Sequence, residues 1–150
     1  MTKQNLQEEL KQSMLAKNEV KTSVLRMLLS AINYYEIQKG GAGYTATEED
    51  VLTVIGNQAK QRRDSIEQFK AAGRNELVDK ETKELEILQK FLPEQMSEEE
   101  IVKLVKEAID QTGATTMADI GKIMGVLMPK VKGKADGGIV NSIVRKQLTS

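Results

Sequence analysis

The 150-residue chain has no cysteine, no histidine and no tryptophan, and only three Tyr, two Phe and two Pro. Each absence excludes something. Without cysteine there is no disulfide, no thiolate metal site and no pointer to an oxidising compartment. Without histidine the commonest general base and the commonest metal ligand are both missing, and a zinc site would need carboxylates alone. So few aromatic residues leave the core to Leu, Ile, Val, Met and Ala, which suits helix-on-helix packing better than a sheet. No apolar run reaches the length of about 18 residues that a membrane span needs. The opening Met1-Thr2-Lys3-Gln4-Asn5 holds no apolar signal core,. The expected location is therefore the cytoplasm, with no membrane partner.

Catalytic arrangements are equally scarce. With neither His nor Cys, a nucleophilic site would have to be a Ser–Lys pair, and no Gly- and Ser-rich loop surrounds any serine. A phosphate-binding loop of the G-x-x-x-x-G-K-[ST] kind fails twice, because Met128 stands where the first glycine belongs and Ala135 follows Gly133-Lys134,. No catalytic residue, cofactor or metal is expected, and the chain reads as one that binds.

What is present is charge, evenly matched at 22 basic and 22 acidic residues but unevenly distributed. Residues 60–74 carry a balance of +3, residues 75–100 a balance of −6, and residues 117–150 a balance of +4. The last stretch, with Lys122, Lys130, Lys132, Lys134, Arg145 and Lys146, is the one sustained basic region.

Helical periodicity dominates and no period-2 strand stands out. Helices are expected at about 3–16, 19–38 and 48–72, then from Glu76, capped by Asn75, to about Leu92, where Pro93 ends it. Ser97-Glu98-Glu99-Glu100 is a capping box opening a helix that ends near Gly113,. Another starts between Thr116 and Asp119 and closes around Met128-Pro129, and Asp136 caps a last one to Leu148. The fold class is all-α, with a four-helix unit over 1–94 joined to a small three-helix bundle over 95–150.

Gly121 and Gly125 lie four apart on one helix face, and each costs about 1 kcal/mol against alanine. That cost is repaid either by close packing against a neighbouring helix or by the close approach of a nucleic-acid backbone. Lys130, Lys132, Gly133, Lys134, Arg145 and Lys146 cluster around one turn and the helix after it. Their turn reads as a phosphate site or as an ordinary solvated Lys-rich loop. Arg62 falls on the apolar stripe of its helix, and Glu81 interrupts the stripe of the next. They read either as an anion site or, the favoured reading, as a structural ion pair of Arg62 with Glu81 or Glu84 across the helix hairpin, since a lone buried charge costs several kcal/mol. Tyr34 and Tyr35 could stack on a base, or pack half-buried at a helix end.

Three stretches resemble the YqeY-like proteins, stand-alone relatives of the tail domain that the aspartyl/glutamyl-tRNA amidotransferase carries on one of its subunits. They are Lys60-Gln61-Arg62-Arg63-Asp64-Ser65 with Phe69; Ala72-Gly73-Arg74 through Glu81 to Phe91-Leu92-Pro93-Glu94-Gln95-Met96-Ser97; and Gly121-Lys122-Ile123-Met124-Gly125 through Lys132-Gly133-Lys134-Ala135-Asp136-Gly137. Val140 and Val144 continue the last stretch. One departure is Lys134, where arginine is the more usual residue. The resemblance implies tRNA or another structured RNA as partner, and an amidotransferase or synthetase as a possible companion. It also implies the label of a carbon–nitrogen ligase with glutamine as amido donor, a chemistry for which this chain offers no residues. A protein-interaction adaptor is the reading that the zero net charge favours.

Overall fold

A computed structural model describes residues 1–149. Seven α-helices run in order among them: α1 (Lys3–Leu15), α2 (Glu19–Gly40), α3 (Glu48–Ala71), α4 (Asn75–Gln89), α5 (Glu98–Thr112), α6 (Ile120–Val131) and α7 (Gly137–Thr149). A 3₁₀ turn over Met117–Asp119 leads into α6, and there is no strand among the described residues. The fold is all-α. No described helix is long and apolar enough to cross a membrane.

Local chemistry fixes the starts. Thr2, Thr47 and Ser97 each accept from the backbone amide three residues on, while Asn5, Asp50 and Glu100 return the bond to the cap. Such reciprocal capping satisfies two of the amides a helix start leaves unpaired. Asn18 caps α2 through Lys21. Asn75 does not cap α4: it is the first residue inside the helix, and Arg74 occupies the cap without a side-chain bond. The helix α4 also stops at Gln89, ahead of the expected Leu92. At Pro129 the expectation of an end is corrected as well, since α6 continues through it to Val131. Proline is tolerated there because only its own missing amide is lost and the helix has barely a turn left to run.

The chain divides into two compact units, Met1–Leu92 and Pro93–Ser150. In the first, Leu6 of α1, Leu25, Leu28 and Ile32 of α2, Val51 and Ile55 of α3 and Leu88 of α4 form the core. Each such side chain contributes about 1.5–3 kcal/mol on burial. Ser13 and Thr22, both buried, share a hydroxyl hydrogen bond of 2.9 Å that ties α1 to α2. In the second unit, Ile101, Val105 and Ala108 of α5 meet Ile123, Leu127 and Val131 of α6 and Val140, Ile143 and Val144 of α7. These are three-, four- and eight-residue spacings, the signature of one apolar face per helix.

Candidate functional site

In the second unit Ile123, Leu127 and Val131 turn to the core, so helical geometry sets Gly121, Gly125 and Pro129 on the opposite face,. All three are exposed. A Cβ built on Gly121 or Gly125 meets nothing within 4 Å. The packing explanation for these glycines therefore fails: among the described residues no neighbouring helix lies within contact distance of a Cβ there. Pro129 has no amide to offer the Gly125 carbonyl four residues earlier. The outer face of α6 thus has bare backbone at Gly121 and Gly125, flanked by the exposed Met128 and Lys122 and reaching the exposed Lys132.

The basic turn is held from within the same unit. Gly133 takes a left-handed conformation (φ 75°) that a side chain would strain,. Its carbonyl accepts from Gln95 Nε2 at 3.0 Å, and the carbonyl of Lys134 accepts from the Met96 amide at 2.9 Å. The amides of Lys134 and Ala135 donate to Val131, and that of Gly138 donates to Asp136 Oδ1 at 2.7 Å. These three amides are engaged, and the Asp136 carboxylate sits where an anion at the start of α7 would have to bind. A backbone phosphate cradle at this turn is not what the sequence has built.

Lys130 and Lys134 come together in a groove of about 760 Å³, but Glu94, Glu100 and Glu107 line it with them, as does Lys103. Three acids offset three lysines there. Lys122, Arg145 and Lys146 stand exposed on α6 and α7, with Arg145 Nε donating to Asn141 at 2.7 Å. Of the nine expected contact residues, only Gly133 is partly buried.

The first unit holds two buried polar clusters. Arg62 is 5% exposed and its Nε lies 3.4 Å from Glu84 Oε2. Its Nη1 donates to Gln58 Oε1 at 3.2 Å and its Nη2 to the Met27 sulfur at 3.8 Å. The Nε makes no hydrogen bond, so the pair is held by charge more than by alignment. Glu81, three residues before Glu84, is only partly buried and takes no part in this pair. The space beside this arginine, where an anion would have to sit, is filled by protein side chains.

The second cluster centres on Asp50, 4% exposed at the start of α3. Its carboxylate accepts from Lys39 Nζ at 2.5 Å, Tyr44 Oη at 2.5 Å, Tyr35 Oη at 3.1 Å and the Thr47 amide at 3.0 Å. Lys39, Tyr44 and the backbone bond hold Asp50 well below the usual carboxylate range, and Asp50 in turn raises Lys39 and Tyr44 above theirs. The Lys39 ammonium also lies over the Tyr35 and Tyr44 rings at 5.7 and 5.4 Å,. Beside it, Glu36 accepts from Lys3 Nζ and the Ala46 amide, both at 2.8 Å, and these bonds lower its pKa. Together the two acids fasten the loop after α2. Tyr35 is thereby committed to structure, whereas Tyr34 stands 66% exposed. Sequence reasoning misses this cluster. Its one signal is the second half of the Thr47 capping box, an acid directly before the apolar Val51.

Both clusters are spent on holding the first unit together, and the outer face of α6 is the candidate surface that stands open.

Residues 3–148 match the family described as Yqey-like protein. Among curated relatives, "Altered inheritance of mitochondria protein 41, mitochondrial" of Saccharomyces cerevisiae (strain ATCC 204508 / S288c) is 31% identical over 150 residues, covering 94% of this chain and 80% of the relative. Its namesake in Clavispora lusitaniae is 29% identical over 150 residues, covering 97% and 84%. That of Pyrenophora tritici-repentis is 33% identical over 134 residues, covering 87% and 71%. These names correct the expectation of a cytoplasmic location, which rested on the lack of a signal core and of a membrane span. The match runs through all seven helices, and the chain belongs to the YqeY-like family.

Proposed function

We propose that this chain is a non-catalytic RNA-binding accessory protein that receives a structured RNA, tRNA foremost, on the outer face of α6. The observation that carries this reading is the open space over Gly121 and Gly125. Gly125, in the helix interior, costs about 1 kcal/mol and Gly121, in the first turn, costs less,, and a Cβ at either would meet no neighbour among the described residues. A sugar–phosphate backbone can approach a helix stripped of side chains, and phosphate contacts are the commonest means by which proteins grip nucleic acid. Lys122 and Lys132 supply the countercharge at its borders, and Arg145 and Lys146 stand exposed on α7. Lys130 and Lys134 are secondary, because acids share their groove.

Such a surface reads shape rather than base sequence. An amidotransferase or synthetase acting on the same RNA is the protein companion this reading implies. The amide-transfer label stays with that companion, since this chain has no residues for it. Binding to total tRNA, followed at two salt concentrations, is the test. Affinity that falls with salt and survives changes of base sequence supports the reading. No binding at low salt would replace it with a protein-interaction adaptor.

A further inference from the structure

The helix α2 has a second face. Val24, Leu25, Leu28 and Ile32 enter the core, while Val20, Ser23, Met27, Ser30, Tyr34 and Ile37 recur at three- and four-residue steps on the opposite side. All six are exposed, with Tyr34 at 66% and Ile37 at 62%. Alternating steps of three and four are the seam of a helix that packs against another helix. None of the six carries a charge.

We propose that this face is the seam of a homodimer in which α2 of one copy lies antiparallel to α2 of a second. The seam is self-complementary under a two-fold axis midway along it. With the axis there, Val20 faces Ile37, Ser23 faces Tyr34 and Met27 faces Ser30 of the second copy, so a large residue meets a small one in the layers nearest the axis and two apolar residues meet at each end. Facing layers that alternate large and small interdigitate without voids. A two-fold interface requires this self-matching, because one patch must serve both sides.

Electrostatics favour the same register. A groove of about 580 Å³ opens beside Ser23, bounded by Met14, Arg26 and Met27. In the antiparallel arrangement the ring of Tyr34 from the second copy enters this groove. There the Arg26 guanidinium and the Met14 thioether are suited to an aromatic face and edge, while the Met27 sulfur faces Arg62,. The Arg26 Nη2 is already oriented by the Met14 sulfur at 3.5 Å. Of the flanking charges, Glu19 faces Gln38 and Arg26 lies beside Asn33 of the second copy, so no like charges are opposed. The seam is about 26 Å long. Its surface is on the order of the 500 Å² patch of an ordinary monomer. Doubling gives about 1,000 Å², the size of a weak, reversible interface.

Sedimentation velocity across a concentration series, on the full chain, reads this directly. A monomer–dimer equilibrium with a dissociation constant on the order of 10 µM is expected. Tyr34→Lys, on an exposed side chain that the fold does not need, raises that constant about tenfold or more. Because the chain has no cysteine, Met27→Cys and Ser30→Cys chains mixed and oxidised report the register. The mixed disulfide forms ahead of either homodisulfide. A chain that stays monomeric to about 1 mM overturns the proposal. So does a Ser30→Cys homodisulfide that dominates, which would mean parallel helices. A Tyr34→Lys variant that loses tRNA affinity while native chain is monomeric also overturns it, assigning the face to RNA. The RNA reading rests on α6 and stands or falls separately.

Discussion

Arg62 of α3 and Glu84 of α4 face each other across a helix hairpin, Nε 3.4 Å from Oε2, each almost wholly removed from solvent. Two charges taken out of water need each other more than they help the fold. Removing one leaves the other buried and uncompensated, so Arg62→Ala is expected to cost about 3–5 kcal/mol. The urea midpoint measures this. Arg62→Met combined with Glu84→Leu removes both charges, and stability within about 1 kcal/mol of the native chain is expected. An unchanged midpoint for Arg62→Ala would contradict the burial.

Asp50 and Glu36 give the first unit a pH dependence with a definite sign. Both are depressed by folding, Asp50 chiefly by Lys39 and Glu36 chiefly by Lys3. A depressed carboxylate contributes stability above its unfolded pKa and loses it as pH falls through the folded one. Stability should hold steady down to about pH 4 and decline below it. Asp50→Asn is expected to unfold at lower temperature than the native chain at pH 7, with a shallower decline in acid. Equal melting temperatures at pH 7 would discount the cluster.

Gly40 makes room for that cluster, because a Cβ there would sit 2.7 Å from the Tyr44 ring. Gly40→Ala forces the ring away from Asp50 and is expected to cost about 1–3 kcal/mol, the usual effect of overpacking. Denaturant titration checks it against Gly43→Ala, where a Cβ meets open space.

Gly121 and Gly125 invert the usual relation between stability and function. Neither has a positive φ nor a neighbour within 4 Å of a Cβ. Alanine at Gly125, inside the helix, should stabilise the second unit by about 0.5–1 kcal/mol, and at Gly121, in the first turn, by less,. If RNA docks on this face, the same substitutions weaken tRNA binding, and Gly125→Leu weakens it more. A stabilised chain with undiminished affinity would move the RNA site elsewhere.

Countercharge can be counted. If about three of Lys122, Lys132, Arg145 and Lys146 reach phosphate, log affinity should fall with log salt at a slope of roughly −2 to −3. Lys122→Ala with Arg145→Ala should flatten that slope while leaving stability nearly unchanged, since exposed charges stabilise folds little.

The helices are legible in the sequence because their signals are local. Thr47 and Ser97 announce their own helix starts, and the apolar steps of α2 and α5 mark one core face each. Where tertiary contact decides, the pattern misleads. Met14 and Val20 continue apolar stripes by spacing, yet stand 47% and 45% exposed. Asp50 looks like one of three acids favoured by a helix dipole, and only the folded loop brings Lys39, Tyr35 and Tyr44 to it. The glycines of α6 are visible as a cost, but packing can be set aside only once it is known which side of the helix faces the core. The Lys130–Lys134 turn reads as basic in sequence because its three acids come from residues 94–107.

The bond from Gln95 to the Gly133 carbonyl spans 38 residues of chain. During synthesis, at about 5–20 residues per second, Gly133 follows Gln95 after roughly 2–8 s. Through that interval all of α1 to α4 has been synthesised, while the Gln95 side chain has only its local bond to the Pro93 carbonyl at 2.8 Å. The opening stretch of the second unit is thus a late event in the life of each molecule, fastened from the far end of the chain.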